Sequence, residues 1–120
     1  MEFSTNKPIY RQIIDYSFGR IITGDWREEE RIPSVRELSV QLAVNSHTVL
    51  KAYEYLQASE IIIPRRGMGF YLAADATQRV NSLRREEFFT TTVPEIAREM
   101  ELLGITPEEL IDRLRPQLKS

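Results

Sequence analysis

The chain has 120 residues, 42% hydrophobic and 28% charged, which suits one compact domain plus a short appendage and excludes wholesale disorder. It has no cysteine and a single histidine, His47, which excludes disulfides, thiol catalysis and any metal site needing two imidazoles. Its 16 Lys/Arg against 18 Asp/Glu give a net charge of −2, so a nucleic-acid face would have to arise from local segregation of charge.

The balance is even in the first part of the chain, with nine residues of each sign up to Ala74. No apolar run approaches the roughly 20 residues that span a bilayer. The N-terminus lacks the charged-then-apolar layout of a signal peptide. A cytoplasmic location with no membrane partner is expected, and no cofactor or metal is expected either.

In chain order, a first helix is predicted to start near Lys7-Pro8, with Ile9, Tyr10, Ile13, Ile14, Phe18, Ile21 and Ile22 at helical spacing and Gly24 as its stop. Asp25 to Pro33 reads as a charged connection with Trp26 as an apolar anchor and Glu28-Glu29-Glu30 as a solvated loop facing away from any DNA. Ser34-Val35-Arg36-Glu37 is a capping box that opens a short second helix. Val44-Asn45 reads as a tight turn, with Asn45 as N-cap of a third helix. Val49, Ala52, Tyr53 and Leu56 form the inner face of that helix. Ser46, His47, Leu50, Lys51 and Glu54 form the outer one.

Ile61-Ile62-Ile63 and Phe70-Tyr71-Leu72 are predicted to be the strands of a hairpin, turned through Pro64-Arg65-Arg66-Gly67-Met68-Gly69. Beyond Ala73-Ala74-Asp75 the pattern is helical again. Thr92-Val93-Pro94-Glu95 and Thr106-Pro107-Glu108-Glu109 read as further capping boxes, with Gly104 and Pro116 as stops.

A short helix, a tight turn and a helix with a polar outer face fit a helix-turn-helix. Such a unit reads the major groove from the start of its second helix. Here that start is Asn45-Ser46-His47-Thr48, small polar side chains suited to base edges and phosphates. The helix N-terminus adds partial positive charge and free amides. Lys7, Lys51, Arg65 and Arg66 are candidate phosphate contacts; the two arginines alone could be a solvated turn, but the adjacent glycines favour phosphate or groove contact.

Five ordered blocks carry a resemblance: Pro8 to Ile13, Pro33 to Leu38, Leu42 to Val49, Ala52 to Leu56 and Arg65 to Phe70. Together they resemble the N-terminal domain of GntR-family repressors over roughly residues 7–73. The short tail, with no large effector domain, is similar to the YtrA-like subfamily. The resemblance implies DNA contact by Arg36, a base- and phosphate-contacting role for Asn45, Ser46, His47 and Thr48, and wing glycines at Gly67 and Gly69. The chain departs from the family pattern at Glu28-Glu29, Ile32, Ser46 and Glu60. If Glu60, where the family favours glycine, is left-handed, it costs about 1 kcal/mol.

The tail needs a partner. Val80, Leu83, Phe88, Phe89, Ile96, Met100, Leu103, Leu110, Ile111 and Leu114 either fold back on the first domain or meet a second chain. A symmetric dimer is the commonest oligomeric solution. The expected architecture is α/β but mostly α: a winged helix-turn-helix domain over 7–74, then a helical dimerisation tail over 75–118. The expected function is a homodimeric repressor on a palindromic double-stranded DNA operator. A small-molecule effector stays open, because no constellation names one. A protein-interaction module is the competing reading. An enzyme lacks the residues, with no cysteine, one histidine and no phosphate loop.

Overall fold

The computed structural model describes Phe3 and residues 6–119. The chain falls into two compact units, one ending at Ser82 and one beginning at Leu83.

The first unit begins with α1 (Ile9–Ile22), which follows Pro8 and is buried along Gln12, Ile13, Ile14, Ser17, Phe18 and Ile21. Its two buried polar side chains are satisfied by backbone carbonyls. Gln12 donates to Lys7 O at 2.8 Å, and Ser17 donates to Ile13 O at 2.8 Å. Trp26 is buried and meets Tyr16 edge-on at 6.5 Å, as an anchor should.

Helix α2 (Val35–Leu42) starts at the predicted capping box, with Ser34 Oγ accepting from Glu37 N and Glu37 accepting from Ser34 N, each at 3.0 Å. Ala43 ends it in the left-handed conformation, at φ 54°. Two residues later Asn45 caps α3 (Ser46–Ala58), so the turn is short enough to fix the angle between the helices. α3 is the centre of the unit. It packs on both α1 and α2, and Val49, Ala52, Tyr53 and Leu56 are completely buried. Burying each such aliphatic side chain stabilises the unit by about 1.5–3 kcal/mol.

The hairpin joins β1 (Ile62–Arg65) to β2 (Gly69–Leu72), antiparallel, with Ile62 opposite Leu72 and Arg65 opposite Gly69. Arg65 therefore belongs to a strand, and the turn proper is Arg66-Gly67-Met68. Met68 N donates to Arg65 O, and Gly67 at φ 73° supplies the positive dihedral that a type II turn demands.

The acidic connection is an exposed loop, as expected, but an ordered one. Its backbone runs along the free edge of β2: Glu29 N donates to Leu72 O, Leu72 N to Glu30 O and Ile32 N to Phe70 O, with Arg31 opposite Tyr71. Glu28 accepts from Thr77 N at 3.0 Å, satisfying an amide in the first turn of α4 (Ala76–Glu87). Edge pairing and helix capping both need ordered backbone, which the charge run by itself did not suggest.

Ala76 and Val80 of α4 are fully buried and belong to the first unit. Val80, read as part of the dimerisation tail, has no accessible surface to offer a second chain. The first unit thus continues eight residues past the boundary expected at residue 74.

Past α4 the backbone stays helical. A π-helical segment, Phe88–Thr92, runs directly into α5 (Val93–Leu103). Thr92 is helical itself and makes no side-chain cap, so the second capping box does not form. A capping side chain needs extended backbone at its own residue, and an uninterrupted helix removes it. Gly104, at φ 68°, ends α5. Thr106 accepts from Glu109 N at 3.1 Å and opens α6 (Pro107–Leu114) with Pro107 in its first turn; a 3-10 turn, Arg115–Gln117, follows. No helix among the described residues is long and apolar enough to cross a membrane.

Candidate nucleic-acid interface

The exposed start of α3 is built from its cap outward. Asn45 Oδ1 accepts from His47 N at 2.8 Å, and its carbonyl accepts from Thr48 N and Val49 N. The first-turn amides are thus largely used by the protein itself, contrary to the free amides expected from the sequence. What remains for a ligand are side chains: Ser46 and His47 are exposed and Thr48 half-buried. Leu50 and Lys51 follow on the same helix, both exposed.

Arg36 is exposed on α2; its carbonyl accepts from Ser39 Oγ at 2.7 Å, and its side chain has no hydrogen bond or ion pair among the described residues. Glu37, its sequence neighbour, is engaged by Arg31 at 3.2 Å instead. Lys51 Nζ sits 4.0 Å from the centroid of the Tyr10 ring, and the Arg65 guanidinium 4.2 Å from that of Tyr71. A cation over an aromatic face keeps its full charge while its direction is restricted. Arg66 is exposed in the wing turn. Lys7 differs from these cations, because Asp15 pairs with it at 3.1 Å and offsets its charge.

The two wing glycines separate in role. A Cβ at Gly67 would meet nothing within 4 Å, so its need is the turn dihedral. A Cβ at Gly69, at φ 92°, would lie 3.3 Å from Arg31 Nε. Its missing side chain makes room for a neighbour within the protein.

Internal bonds tie the parts together. Tyr53 Oη donates to Pro33 O at 2.6 Å, fixing the entry to α2 against α3, and its ring meets Phe70 of β2 edge-on at 5.3 Å. Burial pushes the Tyr53 hydroxyl well above its ordinary range, with Glu37 adding to the effect, so it remains a donor. The Glu37 carboxyl is held below its ordinary value of 4.5, first by the Ser34 amide and hydroxyl and then by Arg31. The sequence singled out neither Arg31 nor the Tyr53 hydroxyl bond. Met68 lies 37 residues from Arg31 and Pro33 lies 20 from Tyr53, beyond any local pattern.

In the second unit an apolar groove of about 610 Å³ runs along α5 and α6. Phe88, Ile96, Met100, Leu110, Ile111 and Leu114 of the expected tail residues line it, joined by Val93, Ala97 and Ile105. Phe89 and Leu103 are exposed without lining it, and Leu83 is half-buried. No group of three or more metal-ligating side chains is found among the described residues.

A tri-helical core with a capped, outward-facing third helix and a two-stranded wing defines a winged helix-turn-helix domain, here followed by a helical segment. This is the architecture of a DNA-binding transcriptional regulator. The family model for "Bacterial regulatory proteins, gntR family" matches residues 9–72. The uncharacterized HTH-type transcriptional regulator YhcF of Bacillus subtilis is 31% identical over 114 residues, 95% of this chain and 93% of YhcF. The HTH-type transcriptional repressor YtrA of the same organism is 38% identical over 72 residues, 60% of this chain and 55% of YtrA. The structure of a GntR family transcriptional regulator from Listeria monocytogenes superposes with a TM-score of 0.78 at 35% identity, covering 98% of this chain and 100% of that one. The chain belongs to the GntR family and is a YtrA-like regulator.

Proposed function

We propose that the chain is a repressor that binds a palindromic operator as a homodimer. The observation that carries this reading is the exposed start of α3, where Ser46 and His47 stand without an acidic partner among the described residues. Ser46, His47 and Thr48 read base edges in the major groove. Arg36, Lys51, Arg65 and Arg66 hold phosphates, with Asn45 fixing the helix start and Lys7 contributing weakly because of Asp15. Gly67 lets the wing turn approach the duplex. A cytoplasmic location goes with this reading.

The second unit supports the homodimer. From Leu83 onward none of the described residues is buried, yet α5 and α6 present a continuous apolar groove. A groove lined mainly by apolar side chains favours an interaction site. A twofold pair would set two recognition helices about 34–36 Å apart, one turn of duplex.

Selection of bound duplexes from a fragmented genome tests the reading. The expected result is an inverted-repeat motif whose affinity falls by about 0.9 log units per log unit of salt for each phosphate neutralised. Arg36→Ala and His47→Ala should weaken binding or relax the motif. A complex that ignores salt, or no change in both variants, would remove this reading face.

A further inference from the structure

We infer that Arg31 is a positioning residue for DNA binding, a strap that holds the wing turn to the start of α2 so that wing and recognition helix meet the duplex as one piece. The inference rests on the DNA-binding reading above and deepens it. Arg31 lies on the edge segment opposite Tyr71, and its side chain spans two elements that are distant in sequence. Its Nε donates to the Met68 carbonyl, in the wing turn, at 3.2 Å. Its Nη2 donates to Glu37 Oε1, also at 3.2 Å. That same oxygen accepts from Ser34 N at 3.0 Å. One carboxylate oxygen therefore closes the capping box of α2 and anchors the wing. Gly69 completes the arrangement, since a side chain there would press on the guanidinium.

What the pair holds, rather than its strength, separates it from an incidental surface contact. The Arg31 and Glu37 side chains are each 51% exposed, so the ion pair adds little to the stability of the free protein. Its effect is on geometry. The wing tip is open to solvent: Met68 is 55% exposed, and the turn bond from Met68 N to Arg65 O stays within the wing itself. A planar guanidinium offers donors in fixed directions, so it can hold a carbonyl and a carboxylate at once, which an ammonium cannot do with the same rigidity. Fixing the wing before binding removes part of the ordering cost that a loose turn would incur in the complex.

A double-mutant cycle on the full chain tests the strap, with the duplex selected by the wild type as probe. Arg31→Ala is made in the wild-type background and in Arg65→Ala/Arg66→Ala, and affinity, salt dependence and melting temperature are read for each. The expected result is a roughly tenfold loss in the wild-type background and less than a twofold loss once the wing arginines are gone, because a strap without a wing contact has nothing to position. The melting temperature should move little, and the base preferences set by α3 should persist. Arg31→Lys should rescue poorly. Equal losses in both backgrounds overturn the proposal. If the salt slope also falls by about 0.9, Arg31 touches a phosphate directly; if the melting temperature falls instead, its role is only structural. Silent wing arginines overturn it as well. If Arg31→Ala does not fold, Glu37→Gln in the same cycle reads the other end of the strap, and it should show the same coupling. A wild type that selects no duplex would instead reject DNA binding itself.

Discussion

The two units of this chain treat the same kind of residue in opposite ways. Up to Val80, most isoleucine, leucine and valine side chains disappear into a core, with Ile13, Ile14, Leu38, Val49 and Leu56 completely covered, although Val40, Leu50 and Ile63 stay exposed. From Leu83 onward, the described residues include none that is buried, although Ile96, Leu102, Leu103, Ile111 and Leu114 are just as apolar. The first unit brings helices and a hairpin around α3, so each apolar face finds a second element. The second has short amphipathic helices and too few layers to cover them. A small set of helices cannot bury enough surface by itself to offset its chain entropy. Amphipathic pattern is therefore necessary for a core but not sufficient. The partner surface decides whether the stripe is a core or an interface.

Truncation inside the first core should have the largest effect. Leu56→Ala is expected to destabilise the protein by about 2–5 kcal/mol, seen in chemical denaturation, whereas Leu102→Ala on the exposed side of α5 should leave stability within about 0.5 kcal/mol. Equal losses at both positions would erase the contrast between the units.

A charge in the groove should have the next largest effect. Met100→Glu is expected to weaken self-association by at least about tenfold, measured by sedimentation, while the first unit keeps its fold. Operator affinity should fall with it, because two half-sites are no longer engaged together. Unchanged association would send the groove to another occupant.

The smallest expected effect sharpens the comparison within the first unit. Glu60 is left-handed at φ 60°, and its carboxylate reaches Arg79 at 3.2 Å. Glu60→Gly relieves backbone strain of about 1 kcal/mol and loses only an exposed pair. A slight gain in stability, under about 1 kcal/mol, is expected in thermal melts. A clear loss would mean that the tie from Glu60 to α4 matters more than the strain.

Much of this molecule was legible in the chain. Ser34 and Glu37 marked the start of α2, Asn45 that of α3, and Gly104 the end of α5, because capping is a local transaction between neighbouring residues and backbone. The stripe on α3 was legible for the same reason, since 3.6-residue spacing survives whatever it packs against. The wing turn was legible in Gly67, which supplies a dihedral that other residues resist. The Thr92 box had the right letters and failed, because the helix ran on through it and withdrew the extended backbone that the cap requires.

The sequence by itself therefore determined the order of elements, their caps and the polar start of α3, all consequences of interactions within a few residues. Only the tertiary structure decided which side chains across the chain would meet. It drew Glu28 to the first turn of α4, moved Val80 from tail to core, laid the acidic run along β2 and stretched Arg31 between the wing and α2. Those outcomes depend on which surfaces come to lie side by side once the chain has closed on itself, and no local spacing encodes that.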